Sequence, residues 1–255
     1  INMDDARGHE IHEISKLRGQ DIITVGQHNC DLTLKKCNFD ATGQQILFSW
    51  HDEIKSIRLD LIGYFQAMNI LQAAALVIAC GEQPNNVFDT LSELKTVSGR
   101  MQLAAKRANG ASIFVDYAHT PDAVETALKA MRPHVMGRLL IIVGAGGDRD
   151  VSKRELIGRA AEKYADVVFV TDDNPRSEDP ELIRKAIMHG CPNATEIGDR
   201  ATAILTGVDA LNPGDALLIA GKGHETGQII GDDILAFNDV EQASISVSTL
   251  DELLP

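Results

Sequence analysis

The chain has 255 residues, 44% of them hydrophobic, and a formal net charge of −13. That length supports a sizeable core in one or two domains, and the acidic balance argues against nucleic acid as a partner, whose footprint would be basic. The four cysteines (Cys30, Cys37, Cys80 and Cys191) form no C-x-x-C pair, so neither a zinc ribbon nor a thioredoxin-like motif is indicated. Scattered in this way, they read as reduced and cytoplasmic. The opening INMDDARG lacks an initiator Met and does not read as a signal peptide; it reads as mid-domain, so a fragment of a longer protein is expected.

In chain order, residues 1–60 hold short β-rich runs, DIITVG, DLTLKKC, QQILFSW and IKSIRLDL, separated by turn residues, which predicts antiparallel hairpins. From Gly63 to Cys80, Phe65, Met68, Leu71, Ala75 and Ile78 recur at helical spacing, and Gly81 marks a stop. The most apolar run, Ile70–Cys80, is too short to span a bilayer, so no membrane insertion is expected. A second helix is expected after Pro84. Residues 98–111, SGRMQLAAKRANGA, show no clear period and read as a hinge.

From about residue 112 strands and helices alternate. SIFVD, LLIIV, VVFVT and ALLIA are continuous apolar runs, as expected of strands covered on both faces. Between them lie helical stretches opened by Pro121, Ser152, Pro180 and Arg200, with Ser152 and Glu155 spaced as a capping box. This rhythm predicts an α/β fold, a Rossmann-like, doubly wound, mainly parallel sheet.

In such sheets ligands sit beyond the carboxyl ends of the strands, and in this chain each of those ends is chemically loaded. SIFVD runs into Tyr117, His119 and Asp122. LLIIV runs into Gly144, Gly146, Gly147, Asp148, Arg149 and Asp150. VVFVT runs into Asp173, Asn174, Pro175 and Arg176, an acceptor, an amide and a planar cation in four residues. ALLIA runs into Gly221, Lys222, Gly223, His224 and Glu225. Any one of these is explained as a polar turn; four together point to a ligand site. GAGGDRD fails the dinucleotide spacing, because Arg149 stands where the third Gly belongs, and no G-x-x-x-x-G-K-[ST] stretch occurs. His9 and His12 form an H-x-x-H without the Glu of a zincin and read as a solvated face.

DYAHTPDAVE, GAGGDRD followed by KR, TDDNPR and AGKGHE, in this order, resemble the C-terminal domain of the Mur ligases, most closely their diaminopimelate-adding branch. GRMQ at 99–102 resembles the family's hinge, and GYFQAMNILQAAA the last helices of its central ATPase domain. The resemblance covers essentially the whole chain. It implies residues 1–97 as the truncated end of an α/β ATPase central domain without its P-loop, and 98–255 as the C-terminal amino-acid-binding domain. Two departures are small: Glu155 stands where members often have Pro, and Gln102 where Glu is common. The family's UDP-binding domain, its P-loop and its carbamylated lysine have no counterpart in these residues.

The implied reaction is ATP-dependent addition of meso-diaminopimelate to UDP-N-acetylmuramoyl-L-alanyl-D-glutamate through an acyl phosphate, in cytoplasmic peptidoglycan synthesis. The implied diaminopimelate site is Arg149, Asp173, Asn174, Pro175, Arg176, Gly221 and Glu225. The guanidinium forks of Arg149 and Arg176 suit carboxylates, and Asp173 and Glu225 suit ammonium. Asn69, Arg100, Asp116, Tyr117 and His119 are implied on the nucleotide side, and Lys222 and His224 as shapers of their loop. No residue is assigned a catalytic role, and ATP and Mg2+ are expected to be held mainly by parts outside this chain, which is expected to be inactive alone. An L-lysine-adding ligase and a non-catalytic binding module are the alternatives.

Overall fold

The computed structural model describes residues 1–252. It divides into two compact units, Ile1–Lys95 and Thr96–Pro255.

The first unit begins with a helix that no sequence signal announced, α1 (Gly8–Leu17). Of the DIITVG run only β1 (Val25–Gly26) is strand. The other three runs form β2 (Leu32–Asp40), β3 (Gly43–Trp50) and β4 (Glu53–Leu59), an antiparallel meander with β1 added in parallel beside β2. The β2–β3 turn is tight because Asp40 Oδ1 accepts from Thr42 N at 2.9 Å. The apolar helix α2 (Tyr64–Ala79) lays Ala67, Leu71 and Ala74 against Leu32, Ile46, Phe48 and Leu59, and α3 (Pro84–Thr90) adds Val87 and Phe88.

The second unit is an α/β sandwich. Its strands are β5 (Gln102–Lys106), β6 (Ser112–Asp116), β7 (Leu139–Val143), β8 (Val167–Val170), β9 (Thr195–Glu196) and β10 (Ala216–Ala220), with spatial order β5-β6-β10-β7-β8-β9. All pairings are parallel except β5–β6. Every residue of β6, β7 and β10 is buried, as continuous apolar runs require. The crossover helices are α4 (Pro121–Met131), α5 (Ser152–Tyr164), α6 (Pro180–Met188) and α7 (Arg200–Asp209). Three begin on side-chain caps: Thr120 accepts from Ala123 N, Asp179 from Glu181 N and Asp199 from Thr202 N. A hairpin, β11 (Gly227–Ile230) with β12 (Asp233–Ala236), and a closing helix α8 (Asp239–Glu252) follow.

Two local expectations are corrected. Ser152 and Glu155 form no capping box: Ser152 is already helical, and its N and Oγ both donate to Asp150 Oδ1, at 3.0 and 2.6 Å. The aspartate two residues earlier captures the hydroxyl. Within 98–111, Gln102–Lys106 is not free linker but the antiparallel edge strand β5. The register shift between Leu103 and Ala105 explains why no period was visible. Among the described residues no helix is long and apolar enough to cross a membrane.

Candidate functional site

Strands β6, β10, β7 and β8 are neighbours in the sheet, so the loops leaving their carboxyl ends lie side by side. Between these loops is a cleft of about 430 Å³. Its lining brings together Arg149, Asp173, Asn174, Arg176, Gly221 and Glu225, with Tyr117 and His119 at the β6 end. Pro175 is buried behind the lining. The loops interlock through backbone that only glycine permits. A Cβ on Gly147 would stand 1.9 Å from Pro175 O, and Gly221, at φ +114°, would bring one within 2.5 Å of Asp173 Oδ2. Asp148 and Arg176 hold left-handed φ of 53° and 51°, a cost of order 1–3 kcal/mol each that clusters at functional loops.

Arg176 is pinned by its own backbone. Its N donates to Ile229 O at 3.1 Å, its O accepts from Gly231 N at 2.8 Å, and Nη1 donates to Gly147 O at 2.8 Å. The rest of the guanidinium is left to the cleft. Arg149 is exposed, bonded only to Asp148 O at 3.1 Å. Asp173 is buried, and desolvation raises its carboxyl above the ordinary range, with Arg200 and Lys222 offsetting part of the rise. Glu225 keeps about a third of its side chain exposed and receives Asn174 Nδ2 at 2.9 Å. The cleft lining thus offers both guanidinium donors and carboxylate acceptors.

Two buried cations, Arg154 and Arg200, were not assigned from sequence. Arg154 is 3% exposed and lines the cleft, while its Nη2 donates to Glu178 Oε1 at 2.8 Å. Glu178 Oε1 also accepts from Asp148 N at 2.6 Å, so Arg154 braces the loop that carries Arg149. The KR after GDRD was the only available signal. Arg200 is fully buried, bidentate to Asp239 at 2.8 and 2.8 Å, with Ala220 O as a third acceptor at 3.0 Å. Asp239 lies 39 positions downstream, so no local pattern could reveal the pair. Lys222 is also fully buried and belongs to the loop interior, in keeping with the shaping role.

Of the residues assigned to a nucleotide, Asn69 lies in the first unit and the other four in the second. Asn69 is exposed on α2 and bonds to Gln66. Asp116 is buried and accepts from Met101 N at 2.7 Å and Ala118 N at 2.8 Å; desolvation raises its carboxyl nonetheless. Its visible work is to tie the β5 and β6 ends together. Tyr117 carries the Arg100 guanidinium 4.9 Å from its ring centroid and His119 edge-on at 4.6 Å, and His119 Nδ1 lies 2.8 Å from Tyr117 O. Asp172, first of the DDNPR acids, faces away and pairs with Arg184 at 2.6 Å. Among the described residues no group of three or more His, Cys, Asp or Glu could hold a metal ion.

Comparison with known proteins agrees with this geometry. A family model described as "Mur ligase, glutamate ligase domain" matches residues 99–223, and one described as "Mur ligase middle domain" matches residues 1–77. A UDP-N-acetylmuramoyl-L-alanyl-D-glutamate--2,6-diaminopimelate ligase of Chelativorans sp. (strain BNC1) is 45% identical over 95% of this chain and 50% of its own length. One of Brucella melitensis biotype 1 is 43% identical over 100% of this chain and 52% of its own. The chain spans about half the length of the curated relatives it matches. A solved structure of a ligase of that name superposes with TM-score 0.77 at 31% identity, covering 98% of this chain and 53% of that one. A folylpolyglutamate synthase of Mycobacterium tuberculosis, at TM-score 0.62 and 19% identity over 98% of this chain and 54% of that one, shares the fold.

Proposed function

The chain belongs to the Mur ligase family, and on that premise we propose that it is the amino-acid-receiving part of an ATP-dependent, meso-diaminopimelate-adding ligase of cytoplasmic peptidoglycan synthesis. Residues 1–97 are the closing part of its central domain and 98–255 its C-terminal domain, a division supported by the two family matches and by the break after Lys95. The observation that carries the reading is the cleft itself. Arg149 and Arg176 line it together with Asp173 and Glu225, in a volume of about 430 Å³ suited to a small zwitterion.

Meso-diaminopimelate carries an ammonium and a carboxylate at each end. A guanidinium fork takes one carboxylate in bidentate fashion, and Asp173 and Glu225 take an ammonium. Holding the far end in this way aims the near amine, so the domain contributes positioning to a reaction whose acyl phosphate forms on the UDP-N-acetylmuramoyl-dipeptide partner. ATP and Mg2+ are co-reactants of the whole enzyme; no G-x-x-x-x-G-K-[ST] stretch occurs in the sequence, and among the described residues no cluster of three metal-ligating side chains is found. L-lysine lacks the distal carboxylate and would leave a partly buried guanidinium unpaired, at about 1–3 kcal/mol. Calorimetric titration of the chain tests this. Meso-diaminopimelate binds about tenfold or more tighter than L-lysine, and equal affinities, or tighter binding of L-lysine, overturn the reading.

A further inference from the structure

Asn174 presents to the cleft an amide whose orientation is fixed from behind. Its Oδ1 accepts twice, from Lys222 Nζ at 2.9 Å and from Ile229 N at 2.9 Å. That leaves Nδ2 to face Glu225 Oε2, 2.9 Å away. Lys222 Nζ also donates to the same Glu225 oxygen at 3.4 Å and stands 4.0 Å from Asp173 Oδ1. The Lys222 side chain has no exposure and does not line the cleft, whereas Asp173, Asn174 and Glu225 all do. Its ammonium is therefore directed wholly at groups that a ligand would meet. Arg200 is hydrogen-bonded differently: its partners are Asp239 and backbone carbonyls, none of them in the cleft lining, and it reaches Asp173 only through its field.

We propose that Lys222 is a positioning residue for the amino-acid substrate. It fixes the Asn174 amide so that Nδ2 is the donor on the cleft side. It occupies one oxygen of Glu225 so that the other is the free acceptor. It also leaves the Asp173–Lys222–Glu225 cluster with one negative charge for one ligand ammonium. The inference rests on the reading of the cleft as an amino-acid site. The cluster counts two carboxylates against one ammonium; of the other charges facing Asp173, Arg200 favours its ionised form and Asp239, the partner of Arg200, opposes it. Burial lowers the Lys222 ammonium, and the carboxylates of Asp173 and Glu225 work against that fall. Without Lys222 the two carboxylates face each other across a desolvated rim, one is driven to take a proton, and Asn174 is free to turn over.

The test is titration of the 255-residue chain with meso-diaminopimelate and, separately, L-lysine, in wild type and in Lys222→Met. Lys222→Gln, which keeps a donor but no charge, guards against a failure to fold. The expected result is about tenfold or greater weakening for whichever amino acid the wild type prefers. In a Glu225→Gln, Asn174→Ala background the same substitution changes affinity by a clearly smaller factor, because only the Asp173 contact of Lys222 remains. Equal losses in both backgrounds make Lys222 structural only and overturn the proposal. A wild type that prefers L-lysine sinks the diaminopimelate reading while leaving this comparison intact. If neither amino acid binds, carboxylate-carbon NMR decides. In Lys222→Met or Lys222→Gln the Asp173 titration moves up, because the nearby cation that favours its ionised form is gone, and an unmoved midpoint rejects the role.

Discussion

Two buried charge clusters sit near the carboxyl edge of the same sheet and are built differently. Arg200 and Asp239 are both fully buried, share two 2.8 Å hydrogen bonds, and give Arg200's remaining donors to backbone carbonyls. The pair is closed. Asp173, Lys222, Asn174 and Glu225 have equally short contacts, but Asp173 makes its nearest ion pair only at 4.0 Å and Glu225 stays a third exposed toward the cleft. That cluster is open, with acceptor capacity left over. The difference separates charges that hold a fold from charges that await a ligand: the first are saturated by the protein, the second are not.

The comparison is broken most forcefully from the closed side. Asp239→Ala strands a buried guanidinium, and such losses cost about 3–5 kcal/mol, a large part of an ordinary domain's stability. Urea unfolding of the variant reads this directly, and a loss below about 1 kcal/mol would mean the pair holds nothing. On the open side the effects fall on binding. Arg176→Ala removes a charged hydrogen-bond donor, worth about 1.5–3 kcal/mol, so the dissociation constant for meso-diaminopimelate rises roughly ten- to hundredfold. L-lysine, with no distal carboxylate, moves by less than about threefold on the same calorimeter.

Asp173→Asn sharpens the contrast because it should do two opposite things, weakening ammonium binding while stabilising the free protein. The folded carboxyl is raised above its unfolded value by desolvation. Its ionised form therefore opposes folding, and stability is lost as pH rises through the folded value. Wild type and variant should converge in acid, below the ordinary carboxylate range, and separate as pH increases, with the variant melting a few degrees higher at neutral pH. About 1 kcal/mol corresponds to about 2–4 °C at this size. Coincident melting curves at pH 4 and pH 8 would show that Asp173 carries no desolvation strain. The smallest effect concerns the thiols. Burial pushes Cys37 and Cys191 to about 11, whereas Cys80 is exposed. At pH 8 an alkylating reagent should modify Cys80 well before either, as peptide mass spectrometry will show.

The four cleft loops were legible because each follows a strand that is apolar throughout, and a buried parallel strand announces both itself and its carboxyl end. What the sequence hid depends on distance. Arg200 finds Asp239 across 39 residues, and Lys222 finds Asn174 across 48. Asp239 has no local pattern to mark it, and the Lys222–Asn174 pairing shows only once the sheet order puts β10 between β6 and β7. The failed capping box has a local cause, the competing carboxylate of Asp150. The apparent hinge at 98–111 hid β5 because an irregular edge strand has no alternation to read. The surroundings of Asp116 and Asn69 were equally hidden: the motif does not say that Asp116 accepts from two backbone amides or that Asn69 sits exposed on a helix.

The central claim is that the open cluster and the two arginines form one amino-acid site, and ligand-induced chemical-shift mapping tests it most directly. Backbone and side-chain amides of the isotope-labelled chain are followed during titration with meso-diaminopimelate. The account predicts saturable shifts concentrated in 144–150, 171–176 and 221–225, including the Asn174 side-chain amide. It predicts that the Arg176→Ala chain shows them only at much higher ligand concentration. Shifts centred on the first unit, or a pattern that L-lysine reproduces at the same concentrations, would contradict it.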